Sequence, residues 1–244
     1  MKKQLFLIAA AVMSFLCCQA AQKVDEFTTK SGKKVTITCI KHGSLEINYN
    51  GTEIQVDPVG FGVHPTTDYN QFPKANIILI THEHKDHFDR EAITSLRTPA
   101  TSTYSNLAVY NQFRNSIALK NGDSIIYAPD IKIEVVPAYN YTEGPTQFHP
   151  KGRDNGYILT LDGQRIYIAG DTEDIPEMAA IKDIDIAFLP CNQPYTMTVD
   201  QLVKAAKTIK PKVLFPYHYS QTPIAQVVMK LAGSGIDVRI RDYQ

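Results

Sequence analysis

The sequence has no hydrophobic run long enough to cross a membrane. Its most apolar stretch, Leu5–Leu16, is about twelve residues long, whereas a helix needs about 20 residues to span a bilayer. This stretch follows two lysines and leads to small residues at Ala20, which is the order of a secretory signal. We therefore expect residues 1–20 to be a signal peptide that is removed. The mature protein is then expected to be periplasmic or secreted, without stable membrane insertion.

Cysteine is scarce, and two of the four cysteines, Cys17 and Cys18, lie in the expected signal peptide. A lipoprotein signal would place a cysteine directly after a small residue, but Leu16 precedes Cys17, so lipidation is the less favoured alternative. Cys39 and Cys191 stand about 150 positions apart, which is neither a disulfide framework nor a zinc-ribbon spacing. They either pair or stay buried, and the sequence does not decide between these alternatives.

The chain also lacks net charge, because 25 Lys and Arg balance 25 Asp and Glu. Loss of two lysines with the signal peptide would leave a charge of about −2, which gives no broad attraction to nucleic acid or to anionic membranes. Small molecules are therefore the expected partners, with no nucleic acid among them. The oligomeric state is not predicted.

Repeats, low-complexity tracts and Pro/Gly/Ser-rich linkers are absent too, so residues 21–244 are expected to form a single domain. Two β-hairpins are predicted, because alternating apolar residues flank the turn sequences Asn50–Gly51 and Asp162–Gly163. Short β-branched runs predict buried strands at 77–80, 131–136, 184–189 and 213–215. Residues suited to N-capping begin three predicted helices, at 89–96, 105–113 and 198–209, and Pro211 ends the last. This mixture predicts an α/β layered sandwich.

Three histidines and a carboxylate lie within the segment His82–His87, directly after the apolar run 77–80. A strand that ends in a loop can hold several side chains around one point, and imidazole with carboxylate suits Zn²⁺, Mn²⁺ or Fe²⁺. The two-residue step from His82 to His84 puts both side chains on one side of an extended segment. Asp86 and His87 diverge from them and can serve a second ion. A solvated histidine-rich loop is the alternative.

Two later segments repeat the pattern of an apolar strand that ends in a potential ligand. The run 166–169 leads to Asp171, and the run 213–215 leads to His218. This convergence favours a metal site over a chance cluster.

The His-any-His-any-Asp-His motif at 82–87, the Gly-Asp-Thr turn at 170–172 and the strand-end histidine His218 resemble the metallo-β-lactamase superfamily, over roughly residues 41–244. The resemblance implies a four-layer αββα sandwich. It also implies the metal ligands, which are His82 and His84 on the first ion, Asp86, His87 and His218 on the second, and Asp171 as a bridge.

The third ligand of the first ion departs from the usual pattern. Members of the superfamily usually supply a histidine from a Pro-Gly-His loop, whereas this chain has Pro137–Asn140 at the corresponding strand end. His149 is the histidine between the motif and Asp171, so we expect it to be the ligand, with Asn140 or an open position as alternatives. The Asp57–Pro58 opening and the short loop around His149 most resemble the simple metal-dependent hydrolases related to bacterial ascorbate-phosphate lactonase.

The expected cofactors are two divalent metal ions, zinc in the first place, with manganese or iron as alternatives. They would share a hydroxide and polarise a carbonyl or phosphoryl group, and Asp86 would be the catalytic residue that orients the hydroxide and receives a proton. The expected function is therefore hydrolysis of a small ester, lactone, amide or phosphoester. An iron-dependent oxidative enzyme and a non-catalytic metal-binding protein are the alternatives. Hydrolysis of β-lactams or of nucleic acid is not favoured.

Other polar residues have two interpretations each. Asp57 is either an acceptor for a ligand histidine or a turn residue. Four side chains near the predicted metal-site segments either contact substrate or pack: Arg153, Asn192, Tyr195 and Tyr219. His64 is expected in a surface loop rather than a lid, and His42, which has no partner pattern nearby, is expected to be structural or solvated.

Overall fold

The computed structural model describes residues 24–143 and 148–242. The expected signal peptide therefore lies outside the described residues. The strands are β1 (Val24–Thr28), β2 (Lys34–Lys41), β3 (Ser44–Tyr49), β4 (Thr52–Val56), β5 (Ile77–Leu79), β6 (Ser102–Ser105), β7 (Ile117–Ala118), β8 (Ser124–Ala128), β9 (Ile131–Ala138), β10 (Asp154–Leu161), β11 (Gln164–Ile168), β12 (Ile186–Pro190), β13 (Val213–Tyr217) and β14 (Asp237–Val238). The helices are α1 (Arg90–Leu96), α2 (Leu107–Gln112), α3 (Val199–Ile209) and α4 (Ala225–Lys230). In this part of the chain, none of the helices has the length and apolar character needed to cross a membrane.

Within the described ranges the strands form two seven-stranded sheets, the first in the order β1 to β7 and the second in the order β14 to β8. Both sheets are mixed in the same way. β1 to β4 are antiparallel and β4 to β7 parallel. Likewise, β8 to β11 are antiparallel and β11 to β14 parallel.

The sheets pack face to face, and helices cover their outer faces. The strand β5 shows why its apolar run has no alternation. Ile77 and Leu79 join the core between the sheets, while Ile78 packs beneath α1 and α2 with Ile93 and Val109. Since both faces of such a strand are buried, every position is apolar.

The second sheet is covered in the same manner. Phe188 of β12 lies in the core between the sheets, and its neighbour Ala187 packs under the helices with Leu202 of α3 and Val227 of α4. The architecture is therefore a four-layer αββα sandwich, which confirms the predicted fold class.

Turn and capping residues account for the local boundaries. Asn50 and Gly51 have φ of 48° and 88°, and the turn at Asp162 is similar, so both predicted hairpins form with the positive φ values that a two-residue turn needs. Thr198 and Gln201 exchange hydrogen bonds at the start of α3 as a capping box.

The two cysteines of the described chain are buried in different places. Cys39 belongs to the core between the sheets and Cys191 to the cluster beneath α3. They are not bonded to each other, so of the two alternatives the structure favours buried thiols.

Candidate metal centre

The predicted ligands follow the ends of strands in both sheets. His82 comes three residues after β5, Asp171 three residues after β11, and His218 directly after β13. Parallel strands present their carboxyl ends at one edge of a sheet, so these side chains meet there. Within the described residues the structure brings together all seven predicted ligands in overlapping groups, in each of which the ligand atoms lie within 4.8 Å of one another: His82, His84, Asp86, His87, His149, Asp171 and His218.

Asp171 is at the centre of this cluster. Its carboxylate oxygens lie 3.2 Å from Nε2 of His218, 3.3 Å from that of His87, 3.5 Å from that of His149 and 3.9 Å from that of His82. Tetrahedral zinc with bonds of about 2.0 to 2.1 Å separates its ligand atoms by roughly 3.3 Å. The spacing therefore suits a divalent ion, and the position of Asp171 suits a shared carboxylate.

Several ligand atoms in the cluster also have no hydrogen-bond partner among the described residues. The Nε2 atoms of His82, His87 and His218 and Oδ1 of Asp171 are buried without a hydrogen-bond partner among the described residues. Buried polar atoms are nearly always satisfied in proteins. A metal ion would satisfy all four, and the imidazole and carboxylate donors are those that zinc, manganese and iron accept.

In two of the histidines, the ring nitrogen that faces away from the cluster is hydrogen-bonded to a buried carboxylate. Nδ1 of His87 donates to Asp57 over 2.8 Å, and Nδ1 of His149 donates to Asp154 over 2.9 Å. Such bonds fix the tautomer and turn the other nitrogen toward the metal. Of the two interpretations of Asp57, the structure thus favours the acceptor for a ligand histidine.

Asp57 serves a second histidine through Thr81. The backbone N–H and the hydroxyl of Thr81 donate to Asp57 over 2.8 and 2.6 Å. The same hydroxyl lies 3.0 Å from Nδ1 of His82 and accepts a hydrogen bond from it. One buried carboxylate therefore orients the imidazoles of both His82 and His87.

Burial and the neighbouring charged groups determine the protonation states of the histidines. Burial and the neighbouring His87 hold the pKa of His82 well below its usual range, which keeps it neutral and ready to bind metal. Burial opposes protonation of His218, but the carboxylate of Asp171 raises its pKa to about 9. A metal ion takes the place of such a proton when it binds.

Asp86 is ionised in this setting. Burial alone would raise its pKa, but the charge of His87, the nearby imidazole of His218 and a hydrogen bond with His42 hold it well below the usual range. Its side chain is 37% exposed, against 2% for Asp171. Asp86 is therefore an ionised carboxylate and, of the two, the one that faces solvent.

The structure places His149, rather than Asn140, beside the histidines of the motif. The His149 ring lies 4.8 Å from the rings of His82 and His84. The Asn140 amide instead accepts from the His149 backbone N–H and donates to the carbonyl of Tyr195. Asn140 thus ties together two segments of the cavity wall.

Other candidates from the sequence have diverse positions. Asn192 and Tyr195 line the cavity above the cluster. The guanidinium of Arg153 instead pairs with Glu83 and Asp154. Two candidates lie in other settings: the Tyr219 hydroxyl donates to the carbonyl of Arg241, and His64 is in an exposed loop.

Sequence reasoning missed His42. Its Nε2 lies 3.1 Å from Oδ2 of Asp86, and its ring centroid lies 3.7 Å from that of His218. A signal was present, because the predicted hairpin of β3 and β4 places the start of β3 beside the end of β4. The register pairs Leu45 with Val56, so the turn before β3 reaches the same edge as Asp57.

The cluster opens into a cavity of about 570 Å³. This size is typical of sites for small molecules. Phe148 and Tyr195 form one wall with ring centroids 4.8 Å apart, and Lys85 lies on the rim. The cavity therefore offers an aromatic wall and a cation beside the candidate metal ligands.

Known proteins share this sequence pattern and fold. The family described as Beta-lactamase superfamily domain matches residues 36–218. A UPF0173 metal-dependent hydrolase of Ligilactobacillus salivarius is 30% identical over 192 residues, covering 77% of this chain and 86% of the relative.

Two solved structures are similar as well. The first, from Parabacteroides distasonis and described as a metal-dependent hydrolase, has 56% identity and a TM-score of 0.87, with coverage of 91% of this chain and 100% of the other. The second is Igni18, a metallo hydrolase of Ignicoccus hospitalis, with 27% identity, a TM-score of 0.72 and coverage of 85% and 95%. The predicted superfamily is confirmed, whereas the closer resemblance to ascorbate-phosphate lactonase stays a prediction. The chain belongs to the β-lactamase superfamily and is a metal-dependent hydrolase of the metallo-β-lactamase fold.

Proposed function

We propose that the cluster binds two divalent metal ions, zinc in the first place, and that the protein hydrolyses a small ester, lactone, amide or phosphoester. One observation carries the proposal. Four histidine Nε2 atoms lie within 3.9 Å of the carboxylate of Asp171, and three of these nitrogens are buried without another partner among the described residues.

The residues divide into two sets around Asp171. His82, His84 and His149 would hold one ion, and Asp86, His87 and His218 the other, since the structure brings each of these sets together, with His42 beside the second. Bound divalent ions lower the pKa of a water molecule and polarise the electrophilic group of a substrate.

The protein's own side chains position the metal ligands and accept a proton. Asp57 and Asp154 fix the imidazoles of His87 and His149, so those ligands need not reorganise during reaction. Asp86 stays ionised and half-exposed in the cavity wall. It can therefore accept a hydrogen bond from the attacking water and take its proton.

The cavity limits the substrate class. Its volume of about 570 Å³ admits a metabolite-sized molecule rather than a polymer. Lys85 can pair with an anionic group of the substrate, and the Phe148–Tyr195 wall can contact an apolar group.

The test joins elemental analysis of the purified protein with a panel of fluorogenic ester, lactone, amide and phosphodiester substrates. We expect near two zinc, manganese or iron ions per chain, and hydrolysis that Asp86→Asn abolishes. Asp200→Asn is the matched control, because Asp200 is an exposed residue of α3 whose side chain is 82% accessible. One metal ion or none, without turnover that depends on Asp86, overturns the proposal. Two iron ions with consumption of oxygen and no hydrolysis would instead favour an oxidative enzyme.

We further propose that the protein works outside the cytoplasm as a single domain, residues 21–244, after loss of residues 1–20. The support is the order of charged, apolar and small residues in that segment. Mass spectrometry of the full-length gene product, recovered by osmotic shock from its host, should find a chain that starts near Ala21. An intact amino terminus in the cytoplasmic fraction contradicts this.

A further inference from the structure

We propose that His42 is a positioning residue, whose Nε2–H donates a hydrogen bond to Asp86 and thereby holds the carboxylate of the second metal set in place. This inference rests on the proposed two-metal site. His42 Nε2 lies 3.1 Å from Asp86 Oδ2, nearer than Nε2 of His218 at 3.5 Å or of His87 at 3.8 Å. An ionised carboxylate only accepts hydrogen bonds, so the imidazole must be the donor.

Asp86 needs such a partner because burial does not fix the orientation of its carboxylate. The carboxylates of Asp57, Asp154 and Asp171 have 2% or less of their side chain exposed, whereas Asp86 has 37%. Asp57 and Asp154 also receive several hydrogen bonds each. A solvent-facing carboxylate without fixed donors would rotate about its last side-chain torsion, and a metal ligand that rotates binds more weakly.

The turn that carries His42 is built into the site. The His42 carbonyl accepts from the backbone N–H of His218 over 3.1 Å. The neighbouring Lys41 is completely buried, and its ammonium donates to the carbonyls of Gly60, Val63 and Pro65 over 2.8 to 3.0 Å. This anchorage keeps the turn from drifting away from the cluster.

Gly43 fits the same turn against a ligand. A Cβ atom on Gly43 would lie 2.7 Å from Cε1 of His87, so the backbone touches that imidazole directly. The turn thus contacts three members of the second metal set: Asp86 through the His42 side chain, His218 through the His42 carbonyl and ring, and His87 through Gly43.

The orientation of His42 favours a donor over a further metal ligand. Its ring lies over the His218 ring with centroids 3.7 Å apart, and its Nε2 is directed at Asp86. The Nε2 atoms of His87 and His218 instead also approach Asp171, at 3.3 and 3.2 Å. A ring nitrogen of His42 also lies within 4.8 Å of ligand atoms of Asp86, His87 and His218, so the comparison of His42 variants must distinguish a hydrogen-bond donor from a metal ligand.

The experiment compares His42→Ala, His42→Gln and His42→Phe by titrating metal-free protein with Co²⁺ and following its visible absorption. Alanine removes the donor and should weaken binding of the second Co²⁺ about 10- to 100-fold while sparing the first. Glutamine carries an N–H donor at a similar reach and should stay within about 3-fold of wild type. Phenylalanine keeps an aromatic ring against His218 but not the donor, and should behave as alanine does.

The outcomes separate the alternatives. If wild type and alanine bind two Co²⁺ ions equally well, or phenylalanine rescues binding where glutamine does not, the positioning role is wrong and the two-metal site stands. Loss of the second ion in the glutamine variant as well would make His42 a ligand and overturn the hydrogen-bond role. If wild type itself binds fewer than two ions, the proposed function fails together with this inference. Nitrogen-15 spectra of the zinc-loaded protein should show His42 protonated on Nε2, and protonation on Nδ1 alone contradicts the proposal.

Discussion

Nδ1 of His149 lies 2.9 Å from Oδ2 of Asp154, a carboxylate five residues further along the chain and completely buried. The same carboxylate accepts from Nε of Arg153 over 2.6 Å. The histidine proposed to complete the first metal set is thus oriented by a residue of the next strand, β10.

Asp154→Asn should lower zinc affinity about 10- to 100-fold, because an amide that offers its NH₂ group to His149 no longer fixes the Nδ1–H tautomer. Competition with a chromophoric chelator measures the change. Arg153→Gln is the matched control, since it removes the guanidinium that pairs with Asp154 and keeps the bond to His149, so its effect should be smaller. Equal affinities in Asp154→Asn and wild type would refute this role.

Gly43→Ala should destabilise the protein, because the added methyl group would lie 2.7 Å from Cε1 of His87 and 3.0 Å from its Nδ1. Moving the ring breaks its bond to Asp57, and overpacking of this kind costs about 1 to 3 kcal/mol. Urea unfolding of the metal-free protein measures the cost.

The control for Gly43→Ala is a double-mutant cycle with His87→Ala. If contact with the ring is the cause, Gly43→Ala costs little once the ring is gone. A cost that stays the same in both backgrounds would instead point to the backbone of the turn.

Glu53 of β4 should make stability depend on pH. Burial, together with the nearby charge of Glu46, raises the pKa of Glu53 to about 7 from its ordinary 4.5. The folded state then binds this proton more tightly than the unfolded state. The contribution is therefore fully present below about pH 4.5 and is lost as the pH rises to about 7.

Glu53→Gln should remove that dependence. Relative to wild type, the variant should gain on the order of 1 to 3 kcal/mol between pH 4 and pH 8, measured as free energies of unfolding in urea. The metal centre is the same in both proteins, so its own pH dependence cancels in the difference. A difference that does not change with pH contradicts the raised pKa.

The pair of Phe148 and Tyr195 should discriminate among substrates. Their exposed rings, 4.8 Å apart, form a wall of the cavity, and an aromatic contact is worth about 0.5 to 1.5 kcal/mol. Tyr195→Ala should therefore lower kcat/KM about 2- to 12-fold for esters with a bulky apolar group, and leave acetyl esters nearly unchanged. Ile126→Ala is the control, because Ile126 is 67% exposed on β8. A uniform loss across all esters would exclude a role in specificity.

Much of the fold could be predicted because its signals are local. Asn50–Gly51 specifies a hairpin turn, and the unbroken apolar run of β5 follows from burial on both faces. The missed elements lack such signals. β7 is two exposed residues, and α4 starts after Ile224 without a side-chain cap. The predicted start of α2 at Ser105 was early, because Asn106 provides the cap by accepting from Val109.

The site divides in the same way. The motif at 82–87 could be read directly, since its ligands adjoin one another in sequence. His42 is harder to identify, because its partner Asp86 is 44 residues away and the one signal for the contact is indirect, the register between β3 and β4. The hydrogen-bond acceptor of His149 was missed for a different reason. The sequence alone does not indicate whether the side chain of Asp154 turns toward the histidine or toward solvent.

The ligands come from both sheets of the sandwich. His82 and His87 follow β5 of the first sheet, whereas Asp171 and His218 follow strands of the second. An ion held by these residues therefore links the first sheet, from the amino-terminal half of the chain, to the second sheet, from the carboxy-terminal half. The complete site forms only when both halves have folded and packed together, so metal binding reports the completed fold. A chelator should therefore weaken the packing between the two sheets before it unfolds either of them.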